Sequence, residues 1–87
     1  MQVEPKPAAQ PNRPALRFTT GESIRSYRDK HKLTQTQFWH RVAVSQSCGS
    51  RYEAGRKMPL QILYLLHFAY GTAHQAGLLQ AWLRSES

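Results

Sequence analysis

The stretch from Ser45 to Arg51 carries polar or small side chains at every position, and their types are suited to exchanging hydrogen bonds with a polar partner. An arginine fork can grip the O6 and N7 acceptors of guanine, and a glutamine amide can pair with N6 and N7 of adenine. Arg51 and Gln46 supply these two groups, and Ser47 and Ser50 extend the same polar surface. These residue types predict a helix that reads base edges in a major groove.

Cations beside this stretch predict contacts that position a helix without specifying a sequence. Arg41 precedes it, and Arg56 and Lys57 follow it, where each could neutralise a phosphate. The alternative for each of the three is a solvated surface charge.

The charge balance of the whole chain favours a polyanionic partner. Twelve Lys and Arg against five Asp and Glu give the 87 residues a formal charge of +7, with a pI near 10.2. Nucleic acid fits this excess better than a membrane surface does. The alternative is that the charge only maintains solubility. The length fits one small domain, for which self-association often adds stability.

The sequence lacks the groupings of side chains that enzymes usually use for catalysis. The four histidines have neither a paired carboxylate nor a metal-ligand spacing; they are His31, His40, His67 and His74. Cys48 has no histidine near it in sequence that could activate it. We expect Cys48 to fill space near the backbone, with a redox sensor as the alternative. The sequence therefore predicts no enzyme, no metal and no cofactor.

Other features predict a compartment. No apolar run approaches the roughly 20 residues that span a bilayer, and no signal peptide is visible. The single cysteine cannot build a disulfide framework within one chain. We expect a cytoplasmic protein without a membrane partner.

Five helices are expected to position the polar stretch, which makes the fold class all-α. Apolar spacing and end signals place them over about residues 22–32, 35–42, 46–54, 59–71 and 73–84. The expected caps are Thr20, Thr34, Ser45 and Thr72, and Gly55 is the expected left-handed stop of the third helix.

Three parts are predicted along the chain. Residues 1–17 are rich in proline and should form a flexible basic arm. This arm is either a solvated tail or an extension that follows a phosphate backbone. Residues 18–71 should hold the central helices, and residues 72–87 a C-terminal helix.

Apolar surface is expected to remain for a second subunit. The fourth predicted helix is apolar on nearly every side, so it needs two covering surfaces. A stripe on the last helix either closes the core or forms a dimer contact; we expect the dimer, because large aromatic side chains are common interface anchors. The expected contact residues are Tyr64, Phe68, Leu79, Trp82 and Leu83.

A set of residues at fixed spacing carries a resemblance to a known family. Its members are Leu33, Thr34, Gln35, Phe38, Val42, Val44, Ser45, Ser50, Arg51, Tyr52, Glu53, Gly55, Arg56, Lys57 and Pro59. In these positions the chain resembles the helix-turn-helix of the Cro/C1 repressor family, also called the XRE family. The amino-acid sequence of this segment looks most like that of the small repressors of plasmids and other mobile elements, the KorC-type among them.

The resemblance implies roles for single residues. Gln35 is similar to the family glutamine whose amide meets a phosphate and braces the recognition helix. Arg28 and Glu53 stand where the family has a buried ion pair between the first and third helices. The implied base contacts are Gln46, Ser47, Ser50 and Arg51, and the expected phosphate contacts are Gln35, Ser45, Arg41, Arg56 and Lys57.

Three positions depart from the family pattern. Trp39 stands where a small residue is usual and Gly49 where a branched apolar residue is usual. This pairing predicts that the indole fills the space above Gly49. Ala43 replaces the usual glycine of the turn, so a left-handed backbone there would be strained.

The implied function is repression of transcription in the bacterial cytoplasm, associated with the nucleoid. A homodimer would place its recognition helices in successive major grooves of a palindromic operator, roughly 34 to 36 Å apart. A second regulator bound nearby is a further conceivable partner. The alternative is an antitoxin-like or accessory regulator whose apolar fourth and fifth helices hold a protein partner.

Overall fold

A computed structural model describes residues 13–85, and the regular secondary structure in that range is helical throughout. The helices, numbered in chain order, are α1 Gly21–His31, α2 Gln35–His40, α3 Gln46–Glu53, α4 Leu60–Tyr70 and α5 Ala73–Ser85. The all-α, five-helix prediction is confirmed. Over the same range, no helix has both the length and the apolar character that crossing a membrane requires.

Side-chain caps start the helices as the sequence predicts. Thr34 and Gln37 form a capping box at α2, in which each side chain accepts from the backbone N–H of the other residue. These bonds satisfy N–H groups that a first helical turn leaves open. The caps that accept from a first-turn N–H are Thr20, Thr34, Ser45 and Thr72.

The turn between α2 and α3 begins earlier than expected, because α2 ends at His40 and not near residue 42. The N–H groups of Val42 and Val44 both donate to the carbonyl of Trp39 at 3.1 Å. Ala43 between them has φ of 61°, in the left-handed region where a Cβ is crowded. The expected strain at this alanine is therefore present in the turn.

Aromatic rings fill the core between the helices. Phe38 of α2 and Tyr70 of α4 stack with centroids 4.3 Å apart, and the Tyr70 hydroxyl donates to the Phe38 carbonyl at 2.6 Å. Phe18, which precedes α1, is buried and meets both rings edge-on. The core cluster also contains Ile24, Trp39, Val42, Tyr52, Met58 and Leu66.

The predicted arm is attached to the helices at its end. The Arg17 N–H donates to His67 Nδ1 at 2.8 Å, and Arg13 Nη1 donates to the Tyr64 hydroxyl at 3.4 Å. The last residues of the predicted arm therefore contact α4, and the extent of the arm stays a prediction. Residues 1–12, which carry the rest of that prediction, lie outside the described residues.

The side chains predicted for a dimer contact differ in exposure within the single chain. Phe68 is exposed, whereas Tyr64, Trp82 and Leu83 are half-buried. Leu79 has 0% exposure. A side chain with no accessible surface packs inside its own chain, so Leu79 is removed from the predicted contact.

Candidate functional site

One face of α3 carries the four residues predicted to read bases. Gln46, Ser47 and Arg51 are exposed, and Ser50 is half-buried. At 3.6 residues per turn these positions span about 140° of the helix circumference, so they share one side. The buried residues of α3 fall outside this arc.

The buried carboxylate of Glu53, at the end of α3, accepts hydrogen bonds on both oxygens. Arg28 of α1 forms a two-armed pair with it: Nη2 lies 2.8 Å from Oε1, and Nε lies 2.9 Å from Oε2. The Trp39 indole N–H donates to Oε2 at 2.8 Å, and Gln35 Nε2 donates to Oε1 at 3.2 Å. The ion pair that the resemblance implies is thus present, and two side chains of α2 join it.

The surroundings of Glu53 hold it in the charged form. Burial alone would raise the pKa of this carboxyl, because a charge is costly away from water. The hydrogen bonds from Arg28, Trp39 and Gln35, with the positive charge of Arg28, outweigh burial and leave the pKa below its ordinary value. The hydrogen bond to Glu53 in turn raises the pKa of Arg28. The pair is therefore ionised at neutral pH and serves to join helices.

Gln35 connects this buried pair to the exposed face of α3. A carboxylate oxygen only accepts, so it fixes the Gln35 amide with its nitrogen toward Glu53 and its oxygen turned away. That oxygen accepts from Gln46 Nε2 at 2.7 Å. Gln46 keeps its carbonyl oxygen and one N–H, which together complement the N6 donor and N7 acceptor of adenine.

The residues predicted to contact phosphates differ in their surroundings. Arg56 and Lys57 are exposed just after α3. The Ser45 hydroxyl accepts from a first-turn N–H of α3 and so serves as its cap. Arg41 lies toward α4, with its guanidinium carbon 5.1 Å from the centroid of the Tyr70 ring. A phosphate contact by Arg41 stays a prediction.

Comparison with known families matches this arrangement to a described domain. The sequence model of the RsaL-like helix-turn-helix domain matches residues 25–69, more than half of the chain. The chain belongs to the RsaL-like helix-turn-helix domain family. No curated protein and no solved structure gives a significant match.

Membership decides the broad function of the chain. The RsaL-like domain spans all of α2 and α3 and most of α1 and α4, so it includes both the exposed polar face of α3 and the hydrogen-bonded surroundings of Glu53. A helix-turn-helix family of this kind comprises DNA-binding regulators and is not a class of enzymes. The finer assignment to the Cro/C1 type stays a prediction.

The side chains of the RsaL-like domain that could be reactive are hydrogen-bonded or packed against the core. His67 is buried, with Nδ1 accepting from the Arg17 N–H and Nε2 donating to the Gln75 carbonyl at 3.0 Å. Cys48 is a half-buried free thiol packed against the core. Between residues 13 and 85, no three His, Cys, Asp or Glu side chains are grouped to hold a metal.

Two contacts of the RsaL-like domain were not predicted from its sequence. Arg25 Nη2 donates to the backbone carbonyl of Glu53 at 3.0 Å, where the end of α3 leaves carbonyls open. This contact could have been predicted, because Arg25 lies one turn before Arg28 on the same side of α1. The bond from Trp39 to Glu53 was also missed, because spacing predicts the volume of a ring and not the direction of its N–H.

Proposed function

We propose that this RsaL-like domain is a transcriptional repressor that binds a palindromic operator as a homodimer, with α3 of each subunit in a major groove. The observation that carries the proposal is the orientation of Gln46 by Gln35. An exposed side chain normally loses rotamer freedom on binding. Gln46 already has its amide directed, and Arg51 is exposed on the same side of α3.

The proposed contacts separate into reading and positioning. The base contacts are Gln46, Ser47, Ser50 and Arg51, and the phosphate contacts are Gln35, Ser45, Arg41, Arg56 and Lys57. The excess of seven positive charges supports phosphate binding. In this proposal residues 18–71 form the DNA-binding part, and residues 72–87 add to the dimer contact.

Exposed apolar surface supports a dimer through α4 and α5. Among residues 13–85, the large hydrophobic side chains that are exposed are Leu60, Leu65, Phe68 and Leu78, at 39–48%. All of them lie on α4 or α5, and the reading side has none. Their restriction to these two helices is what favours an interaction site there. The half-buried Tyr64, Trp82 and Leu83 extend the proposed contact.

The same apolar surface supports a second candidate, an antitoxin-like or accessory regulator whose main partner is a protein. We favour the repressor because the oriented reading face is unneeded for a purely protein-binding role. The Cro/C1 resemblance, including its plasmid and mobile-element branch, supports the same choice. A second regulator bound beside the operator is compatible with either candidate.

The test is a nuclease footprint of the purified protein on the DNA upstream of its own gene, with salt titrated. Non-specific binding by a basic protein falls steeply with salt. We expect a two-fold symmetric protected region that persists near physiological salt, with half-sites one helical turn apart. Diffuse protection that competitor DNA removes would contradict the repressor proposal and favour the protein-binding candidate.

A further inference from the structure

A tryptophan lies directly behind the proposed reading face and is shielded from solvent. Trp39 has 0% exposure, and its indole lies against the backbone of Gly49 in α3. The indole N–H donates to Glu53 Oε2 at 2.8 Å. The ring therefore fills the space between α2 and α3, and its one polar atom contacts the buried carboxylate.

We infer that Trp39 is a positioning residue for Gln46, acting through Glu53 and Gln35, and that it thereby contributes to base specificity. The inference rests on the proposed reading of bases by α3. It adds a residue that touches no DNA to those that determine which base is preferred.

The first step is the division of the Glu53 oxygens among their donors. Arg28 bonds both oxygens, Trp39 takes the remaining place on Oε2, and Gln35 takes the remaining place on Oε1. Without the indole N–H, Oε2 would be left with one donor in a buried site. A buried acceptor with an unfilled place draws in a nearby donor. Gln35 already bonds this carboxylate at 3.2 Å, whereas Arg25 Nε lies 3.9 Å from Oε1, so the Gln35 amide is the donor expected to shift.

The second step is the direction of hydrogen bonding along the path. The carboxylate only accepts, so Gln35 must present its nitrogen inward and its oxygen outward. Gln46 must then present its nitrogen to Gln35, which leaves one defined pattern for a base. When Gln35 moves away, the Gln46 amide is free to rotate by half a turn. It would then place an oxygen where adenine N7 requires a donor.

The experiment selects binding sites from a randomised double-stranded DNA library with the full chain. Gln46→Ala identifies the base position that Gln46 reads, and Arg51→Ala identifies a second position. Trp39→Phe keeps an aromatic ring but removes the N–H. We expect it to lower the preference at the Gln46 position about fivefold or more, on the scale of a bidentate base contact. Its preference at the Arg51 position should equal that of the wild type.

A matched control separates positioning from stability. Leu66→Ala reduces the volume of another fully buried side chain, on α4, and Leu66 takes no part in the hydrogen bonds of Glu53. It should lower the melting temperature and leave both base preferences unchanged. A uniform loss at all positions in Trp39→Phe, or an unchanged preference at the Gln46 position, would overturn the inference.

A second variant keeps the inference testable if Trp39→Phe does not fold. Gln35→Ala interrupts the same path at a half-buried residue outside the core cluster. A selective loss at the Gln46 position supports the path, and full retention of that preference overturns it. If the wild-type protein selects no DNA sequence at all, the proposed function itself fails. The wild-type selection shows this by itself, so that failure is distinct from a failure of the inference about Trp39.

Discussion

The indole of Trp39 lies where a side chain at position 49 would be, so Trp39 and Gly49 fit each other across α2 and α3. A Cβ built on Gly49 would overlap the Cγ, Cδ1 and Nε1 atoms of the ring. Glycine within a helix normally costs about 1 kcal/mol relative to alanine. Here the missing side chain is what admits the ring between the helices, as the sequence pattern predicted.

Gly49→Ala should therefore destabilise the fold despite the better helix propensity of alanine. The Trp39 ring is buried and hydrogen-bonded, so it has little room to move. We expect a net loss of about 1 to 3 kcal/mol in the free energy of unfolding, the range for overpacking a core. Urea denaturation measures it.

The matched control is Gly77→Ala in α5, where an added Cβ would meet no atom within 4 Å. This variant should gain about 0.5 to 1 kcal/mol from helix propensity alone. Equal effects of the two substitutions would show that the Trp39 ring does not restrict position 49.

Ala43→Gly should stabilise the turn between α2 and α3. The left-handed backbone, with φ of 61°, costs a residue with a Cβ about 1 to 2 kcal/mol, which outweighs the entropy that glycine adds to the unfolded chain. We expect a rise in melting temperature by calorimetry. Ala54→Gly is the control, because Ala54 has φ of −83° and should lose stability. A loss at both positions would show that the turn carries no releasable strain.

Acid should weaken the fold through Glu53. The pKa of its carboxyl is lowered in the folded state, so its contribution is fully present above the unfolded value of about 4.3. The contribution is lost as pH falls through the folded pKa. Urea denaturation from pH 7 down to pH 3 should show this decline. Glu53→Gln should remove it, and at neutral pH the variant should lose about 3 to 5 kcal/mol because Arg28 keeps an uncompensated charge.

If Glu53→Gln retained the wild-type decline in stability below pH 4.3, another carboxyl would be responsible.

Local signals predicted the helices well, while contacts between helices were only partly predictable. Thr34 and Ser45 cap their helices because a cap needs only the next three residues. The early end of α2 was missed because no glycine or proline marks it, and Val42 donates instead to the Trp39 carbonyl, three residues back. Periodicity placed Leu79 on an apolar stripe but could not show that its own chain covers it.

The polar site shows the same division. Residue types on α3 predicted a polar, largely exposed face, and the resemblance supplied the pair of Arg28 with Glu53. The bond between Gln35 and Gln46 joins residues eleven apart, and only the packing of α2 on α3 brings them together.

Arg51 and Lys57 should affect DNA binding in different ways. Arg51→Ala should cost about 1 to 3 kcal/mol on the preferred sequence and relax specificity at one base pair. Lys57→Ala should weaken binding to all sequences alike and reduce the slope of log affinity against log salt by about 1. Fluorescence anisotropy on specific and scrambled duplexes at several salt concentrations measures both. Uniform weakening by Arg51→Ala would argue against base reading.

Polar replacements on the exposed face of α4 should dissociate the proposed dimer. Leu65 and Phe68 are exposed in the single chain, so Leu65→Gln combined with Phe68→Gln should spare the fold and lower the mass seen by sedimentation. Thr36→Ala on α2 is exposed and outside the proposed contact, and it should keep the wild-type mass. A dimer mass unchanged by the double substitution would exclude this face as the contact.

The short lengths of α2 and α3 limit how the proposed reading face could be transferred to another protein. They contain 6 and 8 residues, too few to persist as free helices in water. Their order depends on Arg28 from α1 and on Tyr70 from α4, so a peptide excised from residues 33–57 would not retain its shape. Grafting this segment onto a foreign scaffold would fail for the same reason. An engineer seeking a new target sequence should keep the whole domain and exchange only the outward side chains of α3.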